Sequence, residues 1–265
     1  MPHISTERLS VTFRIYGANS RSLKKQIVKQ ATGGRLVPGA DDTITVRALD
    51  EVSLEVEHGD RVGIVGHNGA GKSTLLKALA GIYKPTGGSI AIRGKVGALL
   101  DPAAGLDPDA TGIENIYLRG YILGMKRAEI EERIEDIRSF TELGDYLDLP
   151  LRTYSAGMFA RLAFGISTSI RPDILLLDEG IGAGDGIFFD KMQDRLGAVV
   201  ERVGILLLAS HDKVLVERFC NRVLRLEHGR LVEFTGRGTV RDALAEAAVR
   251  TRTPPPAPSK PGGSE

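Results

Sequence analysis

Gly66-His67-Asn68-Gly69-Ala70-Gly71-Lys72-Ser73-Thr74 fits the pattern G-x-x-x-x-G-K-[ST]. Three glycines let successive backbone N–H groups of Gly66, Asn68, Gly69, Ala70 and Gly71 turn inward on phosphate oxygens. The flanks agree with a phosphate-binding loop. Arg61-Val62-Gly63-Ile64-Val65 ahead of it reads as a short buried strand, and Leu75-Leu76-Lys77-Ala78-Leu79-Ala80 behind it reads as a helix. That helix would add the partial positive charge of its N-terminus. Lys72 is expected to reach the β- and γ-phosphates and the Ser73 hydroxyl to hold Mg²⁺, with Thr74 completing the contact set. The expected ligand is a nucleoside triphosphate.

Outward from that loop, 265 residues leave room for one large domain or a domain with a lobe inserted in it. A formal net charge of +1 gives no long-range pull toward nucleic acid or anionic lipid. Cys220 is the single cysteine, which rules out an internal disulfide and reads as a small buried hydrophobe. Met1-Pro2-His3-Ile4-Ser5 leads into charged residues, unlike a secretory leader. Apolar runs such as Ile205-Leu206-Leu207-Leu208-Ala209 have the length of strands, not of bilayer spans. A soluble, cytosolic protein is expected, docking on a membrane only through a partner.

Residues 4–16 alternate through Leu9, Val11, Phe13 and Ile15 and read as an edge strand. A basic piece around Arg21–Lys29, followed by Gly33-Gly34, reads as a short amphipathic helix and loop inserted over 17–42. Thr43–Val46 and Val52–Val56 resume strand character, and His58-Gly59-Asp60 turns into the loop strand. Ser89–Leu100 holds two short apolar strands, and Asp101–Thr111, rich in Pro, Gly and Asp, reads as a loop. Helical periodicity dominates from Gly112 to about Ile170, with Ile130, Ile134, Ile137 and Phe140 at three- and four-residue spacing. Strand–helix alternation returns over Ile174–Leu226. Thr239–Arg250 looks like a final helix capped by Thr239 or Asp242, and the Pro/Gly-rich tail 251–265 cannot build a core.

Ile174-Leu175-Leu176-Leu177-Asp178-Glu179 is a buried strand ending in two carboxylates, at the end where α/β sheets place ligands. Asp178 suits a direct or water-mediated Mg²⁺ contact, and Glu179 is placed to polarise a water that attacks the γ-phosphate. The next apolar strand, Gly204–Leu208, ends in Ala209-Ser210-His211-Asp212. An imidazole there can sense the γ-phosphate and hold the water and Glu179 in line. Tyr154-Ser155-Ala156-Gly157-Met158 opens a further helix with an apolar face of Phe159, Leu162, Ala163 and Ile166.

The order of phosphate loop, helical lobe, Ser-x-Gly helix, carboxylate strand and histidine resembles the ATP-binding cassette (ABC) family over about residues 4–235. The resemblance implies an α/β fold: a P-loop NTPase with a RecA-like core, an antiparallel β subdomain and an inserted α-helical subdomain at about 107–170. Residues 1–250 would then form one ATPase domain. It also implies that Ser155, Ala156 and Gly157 contact the nucleotide bound on a second subunit, so that two ATP molecules join a homodimer. Asp185, in Gly182-Ala183-Gly184-Asp185, takes the place of the Asp that follows the carboxylate strand in that family.

Gly182–Asp185, Tyr154–Met158, Ala98-Leu99-Leu100-Asp101 and Glu114-Asn115-Ile116-Tyr117-Leu118 look like the cassettes of bacterial polysaccharide exporters, as does the basic insertion. Asp101 occupies the position where most cassettes carry a Gln that links Mg²⁺ to the membrane subunit, and where this branch often has Glu. The aromatic that stacks on adenine aligns with Phe13, with Tyr16 as the substitute. Some exporter cassettes carry a C-terminal glycan-binding domain; a fold ending near residue 250 leaves glycan selectivity to a partner.

The implied function is an ATPase subunit on the cytoplasmic face of the membrane. ATP closure and hydrolysis, with Lys72, Glu179 and His211 as the catalytic set, would drive an ABC-2-type permease that exports lipid-linked polysaccharide. A cassette that exports a drug or small lipid uses the same chemistry. A soluble cassette ATPase acting on nucleic acid is the rival of another class, against which the near-neutral charge argues. A phosphate-loop kinase leaves the Ser-x-Gly helix and His211 without a role.

Overall fold

The computed structural model describes residues 1–15, 36–38, 44–178 and 186–237, together with Val240 and Leu244. Tyr16, the expected helix in 17–42, Glu179, Gly182–Asp185, Thr239, Asp242 and the 251–265 tail lie outside the described residues.

Two sheets share one apolar interior. The first is antiparallel: β1 (His3–Ile15) lies between β3 (Ile44–Glu57) and β5 (Gly87–Arg93), and β2 (Leu36–Pro38) pairs with the outer side of β3. Along β3, Val52, Leu54 and Val56 are buried while Ser53, Glu55 and Glu57 face out, the alternation of a sheet with one face on the core.

Two expectations need correction here. Residues 4–16 do not form an edge: β1 pairs on both sides, with Ile4 opposite Val56 on one strand and Ile92 on the other. Ile44–Val46 and Val52–Val56 are not two strands but parts of the single strand β3, and Thr43 lies outside the described residues. Glu51, at φ 53°, and irregular register from Thr6 to Thr12 absorb the polar break at Asp50-Glu51 as a bulge.

The second sheet has the order β10-β9-β4-β8-β7-β6, formed by β6 (Val96–Leu99), β7 (Ile174–Leu177), β8 (Ile205–Ala209), β4 (Arg61–Val65), β9 (Arg222–Glu227) and β10 (Arg230–Phe234). All pairings are parallel except β10 on β9. The Leu-rich runs of β7 and β8 are buried at every residue, because both faces of a central parallel strand are covered. One face packs against α1 (Lys72–Leu79) and the antiparallel sheet, through Leu75, Leu76, Val56 and Leu176. The other packs Leu175, Leu177 and Leu206 against Phe188, Met192, Leu196 and Val216.

Between β6 and β7 the chain leaves the sheet for a group of helices: α2 (Gly112–Ile122), α3 (Arg127–Thr141), two 3-10 turns (Gly144–Asp148 and Leu151–Thr153) and α4 (Ala156–Ser167). Thr111 and Glu114 close a capping box at the start of α2. This group has its own apolar cluster of Ile116, Ile130, Ile137, Leu147, Leu162 and Ile166, each at most 1 % exposed. Phe140 and Phe164 leave that cluster and join Leu175 and Leu177, tying the ends of α3 and α4 to the sheet. After β7 come α5 (Gly186–Arg202) and α6 (Lys213–Phe219).

Candidate functional site

The loop geometry follows from where β4 delivers the chain. After Val65 the backbone turns at Gly66 with φ 151°, and a Cβ at that residue would lie 2.3 Å from the Leu226 carbonyl oxygen. Only glycine fits so close to the neighbouring strand. Gly69 and Gly71 also take positive φ, at 77° and 111°, and Gly71 is the N-cap of α1. No side chain caps that helix, and a helix N-terminus of this kind suits an anion. The loop is braced from outside by the Gly229 N–H, which donates to the Ala70 carbonyl at 2.9 Å.

Lys72 is only 6 % exposed. Its ammonium donates to the Gly66 carbonyl at 2.9 Å and to the His67 carbonyl at 3.4 Å, so it lies folded back across the loop. The same nitrogen is 3.3 Å from His211 Nε2. Ser73 is exposed in the first turn of α1. A cleft of about 470 Å³ runs along this loop, lined by Asn68 to Thr74 on one side and by Phe13, Val46 and Ala48 of the antiparallel sheet on the other. Phe13 is exposed there and meets Tyr83 edge-to-face, with ring centroids 5.1 Å apart.

Parallel register brings four of the sequence candidates to one edge. Leu177 pairs with Leu208 and Ile64 with Ala209, so Asp178, Ser210-His211 and Gly66 emerge together at the C-terminal ends of β7, β8 and β4. Leu99 pairs with Leu177, which puts Asp101 at that edge as well. Asp178 is buried, and its N–H donates to the Leu99 carbonyl at 3.3 Å. His211 is positioned by its neighbours: the Asp212 N–H donates to Ser210 Oγ, and Asp212 caps α6 by accepting from the Val214 N–H at 2.8 Å.

Asp101 is exposed, and its carboxylate accepts from the Ala103 N–H at 3.0 Å. The loop that carries it is gripped by Arg119, which sequence reasoning missed. The Arg119 guanidinium, 6 % exposed, donates to the Asp101 carbonyl at 3.1 Å and to the Ala104 carbonyl, while its Nε has no partner among the described residues. Burial pulls its pKa below the ordinary arginine value, and the Asp101 charge pulls the other way. The signal was present: Arg119 shares the face of α2 with Ile116 and Gly120, where an apolar residue is the rule.

Ser155, Ala156 and Gly157 are not brought to this edge. Ser155 is the exposed N-cap of α4, with Oγ accepting from the Met158 N–H at 3.2 Å. Phe164, near the other end of α4, is the residue that reaches the sheet. A twelve-residue helix is about 18 Å long, so the start of α4 presents a separate surface. Tyr154 fixes it: its hydroxyl donates to the Tyr146 carbonyl at 2.6 Å, and burial, aided by Asp148, pushes its pKa up to about 12. Gly112 has no Cβ because one would lie 2.4 Å from that hydroxyl. Cys220 sits behind β4, where burial raises its thiol to about 12, and it stays a protonated apolar filler.

Mg²⁺ keeps several waters and takes one or two protein oxygens besides phosphate. The exposed Ser73 hydroxyl and the Asp178 carboxylate supply such a donor set. Among the described residues no three His, Cys, Asp or Glu side chains close a metal cage of their own.

The family model described as ABC transporter matches residues 49–182. The O-antigen export system ATP-binding protein RfbE of Yersinia enterocolitica is 44 % identical over 233 residues, covering 88 % of this chain and 98 % of that protein. The O-antigen export system ATP-binding protein RfbB of Myxococcus xanthus is 39 % identical; 88 % of this chain matches 54 % of that protein. The teichoic acids export ATP-binding protein TagH of Bacillus cereus is 35 % identical, and 91 % of this chain matches 42 % of it. Among solved structures, the post-hydrolysis dimer of the ATP-binding cassette MJ0796 bound to ADP and Pi aligns with a TM-score of 0.65 at 22 % identity, over 88 % of this chain and 97 % of that one. An ATP-binding subunit of an ABC transporter aligns with a TM-score of 0.69 at 21 % identity, over 94 % and 99 % of the two chains. A family match across half of the chain, and near full-length identity of this size to a curated relative, mean that the protein belongs to the ABC transporter family.

Proposed function

We propose that this chain is the ATP-hydrolysing subunit of a bacterial exporter of lipid-linked polysaccharide such as O-antigen, capsule, teichoic acid or cell-wall galactan precursors. One observation carries the reading. A phosphate loop, Asp178 and His211 share one sheet edge in a chain that aligns nearly end to end with an O-antigen export ATP-binding protein.

In this reading residues 1–250 form one cassette domain, with 107–170 as its helical lobe. ATP lies in the cleft between Phe13 and the loop, its base against Phe13 and its phosphates against the N–H groups of Gly66 to Thr74. Lys72 neutralises the β- and γ-phosphates. Ser73 and Asp178, with Asp101 at the same edge, would hold Mg²⁺, which would add charge neutralisation. Glu179 accepts a proton from the attacking water, and His211 holds that water and the γ-phosphate in line.

Ser155, Ala156 and Gly157 belong to a surface that acts on a second copy. The exposure of Ser155 and Ala156 at the start of α4, apart from Lys72, supports a site completed across a homodimer. ATP binding would draw the copies together, and hydrolysis would release them. The helical lobe and the Asp101 loop would carry that motion to a membrane permease of the ABC-2 type. No helix among the described residues is long and apolar enough to cross a membrane. The chain would therefore act peripherally, at the cytoplasmic face, through its permease and without nucleic acid as a partner.

The test is mass spectrometry of polyprenyl-linked saccharides after depletion of the protein in its host. Accumulation of one long lipid-linked glycan is expected and would name the cargo. An unchanged pool, with depletion verified and no redundant exporter, would overturn the polysaccharide assignment.

A further inference from the structure

The seam between the helical lobe and the sheet contains a groove of about 650 Å³, on the side away from the phosphate loop. It is walled by α3, by the segment after α4 and by α5. Pro172 and Asp173 of that wall precede β7, whose opposite end leads to Asp178. We propose that this groove is a second anion site, for a small soluble ligand that carries a diphosphate group.

The floor is already braced. Arg195 donates from Nε to Thr168 Oγ1 at 2.8 Å, grips both oxygens of Asp136 at 3.2 and 2.5 Å, and lies 4.4 Å over the Phe140 ring. Lys191 pairs with Glu142 at 2.6 Å. These two cations thus have their own carboxylates. Asp173, the other acid in the wall, accepts from the Lys95 N–H at 2.7 Å.

Three guanidinium groups remain, those of Arg133, Arg171 and Arg202. They line the same groove, and among the described residues none of them has an ion pair or a side-chain hydrogen bond. Arg171 and Arg202 are exposed and Arg133 is half-buried, and all three stand beside a wall of Ile170, Pro172, Val199 and Val203. The planar fork of arginine matches phosphate oxygens in pairs. A diphosphate offers enough oxygens and charge for three forks, whereas a single carboxylate would leave most of them unmatched. The volume lies within the roughly 300–1,000 Å³ typical of small-molecule sites, and the apolar wall can hold an organic body. Because α3 and α4 belong to the lobe and α5 to the sheet layer, a ligand here bridges the two parts.

The experiment is calorimetry on the full-length protein without divalent cation, in Lys72→Ala, whose phosphate-loop cleft is disabled. That is checked first by the loss of one binding site for adenylyl imidodiphosphate relative to wild type, so that a failure of the nucleotide reading shows separately. Inorganic pyrophosphate is then titrated. Binding is expected to persist in Lys72→Ala, to weaken with salt, and to fall at least tenfold when Arg171→Glu/Arg202→Glu is added. The milder Arg171→Gln/Arg202→Gln guards against misfolding, with melting temperature as the control. ADP that binds tighter than pyrophosphate would assign a nucleotide; equal affinity would assign an inorganic polyphosphate. Binding that is absent in Lys72→Ala, or that is unchanged in both double variants, overturns the proposal.

Discussion

The ammonium nitrogen of Lys72 lies 3.3 Å from Nε2 of His211, although the two residues are 139 positions apart in the chain. They meet because β4 and β8 are parallel neighbours and both chains turn at the same edge. The contact joins the residue proposed to bind phosphate to the residue proposed to sense it. Lys72→Ala is expected to lower ATP affinity more than tenfold by calorimetry. His211→Ala should retain binding and lose about 10²-fold in turnover, the scale of a lost orienting or proton-handling group. Equal losses of affinity in both variants would mean that His211 binds and does not orient.

Glu179→Gln removes the proposed base while keeping the side-chain size. ATP binding should persist, phosphate release should drop by at least 10²-fold, and an ATP-bound dimer should accumulate in size-exclusion chromatography with light scattering. Wild-type turnover in that variant would strike Glu179 from the mechanism.

Phe13→Ala tests the proposed adenine side of the cleft. Loss of a stacked base costs about 1–3 kcal/mol on alanine substitution, so nucleotide affinity should fall by roughly tenfold or more, and Phe13→Tyr should restore it. Phe13 also packs on Tyr83. A fall in melting temperature with unchanged affinity would therefore assign it to packing alone.

Much of this arrangement was legible in the chain. The unbroken apolar runs of β7 and β8 announce central parallel strands, and the glycines at 66, 69 and 71 sit at the positive-φ positions of the loop. What escaped depended on distant partners. The alternation of β1 is the same for an edge strand and an interior one, and only pairing with β5, some eighty residues later, decides between them. Continuity of β3 through Asp50-Glu51 depends on a bulge that no hydrophobic pattern records. Arg119 stands on the apolar face of α2, but what it grips is decided only when the Asp101 loop folds over it.

Asp60 gives a pH prediction that does not involve nucleotide. Its carboxylate is 1 % exposed and accepts from the Glu57 N–H at 2.9 Å, from Arg222 at 2.8 Å and from Arg237 at 2.8 Å. Burial alone would raise its pKa, but the Glu57 N–H, Arg237 and Arg222 together outweigh that and hold it below the usual carboxylate value. A carboxylate depressed in the folded state stabilises the fold at pH values above its unfolded pKa, and this contribution fades as pH falls through the folded pKa. Thermal melts at neutral pH should therefore show Asp60→Asn less stable than wild type, by about 2 kcal/mol for a buried, charge-assisted hydrogen-bond network. That corresponds to a drop of roughly 4–8 °C in Tm for a chain of this size. The gap should narrow steadily as pH is lowered below the ordinary carboxylate range, because the wild type then protonates and loses the same interaction. A gap that stays constant over that range would mean that Asp60 contributes through shape and neutral hydrogen bonding, with its charge of no consequence to the fold.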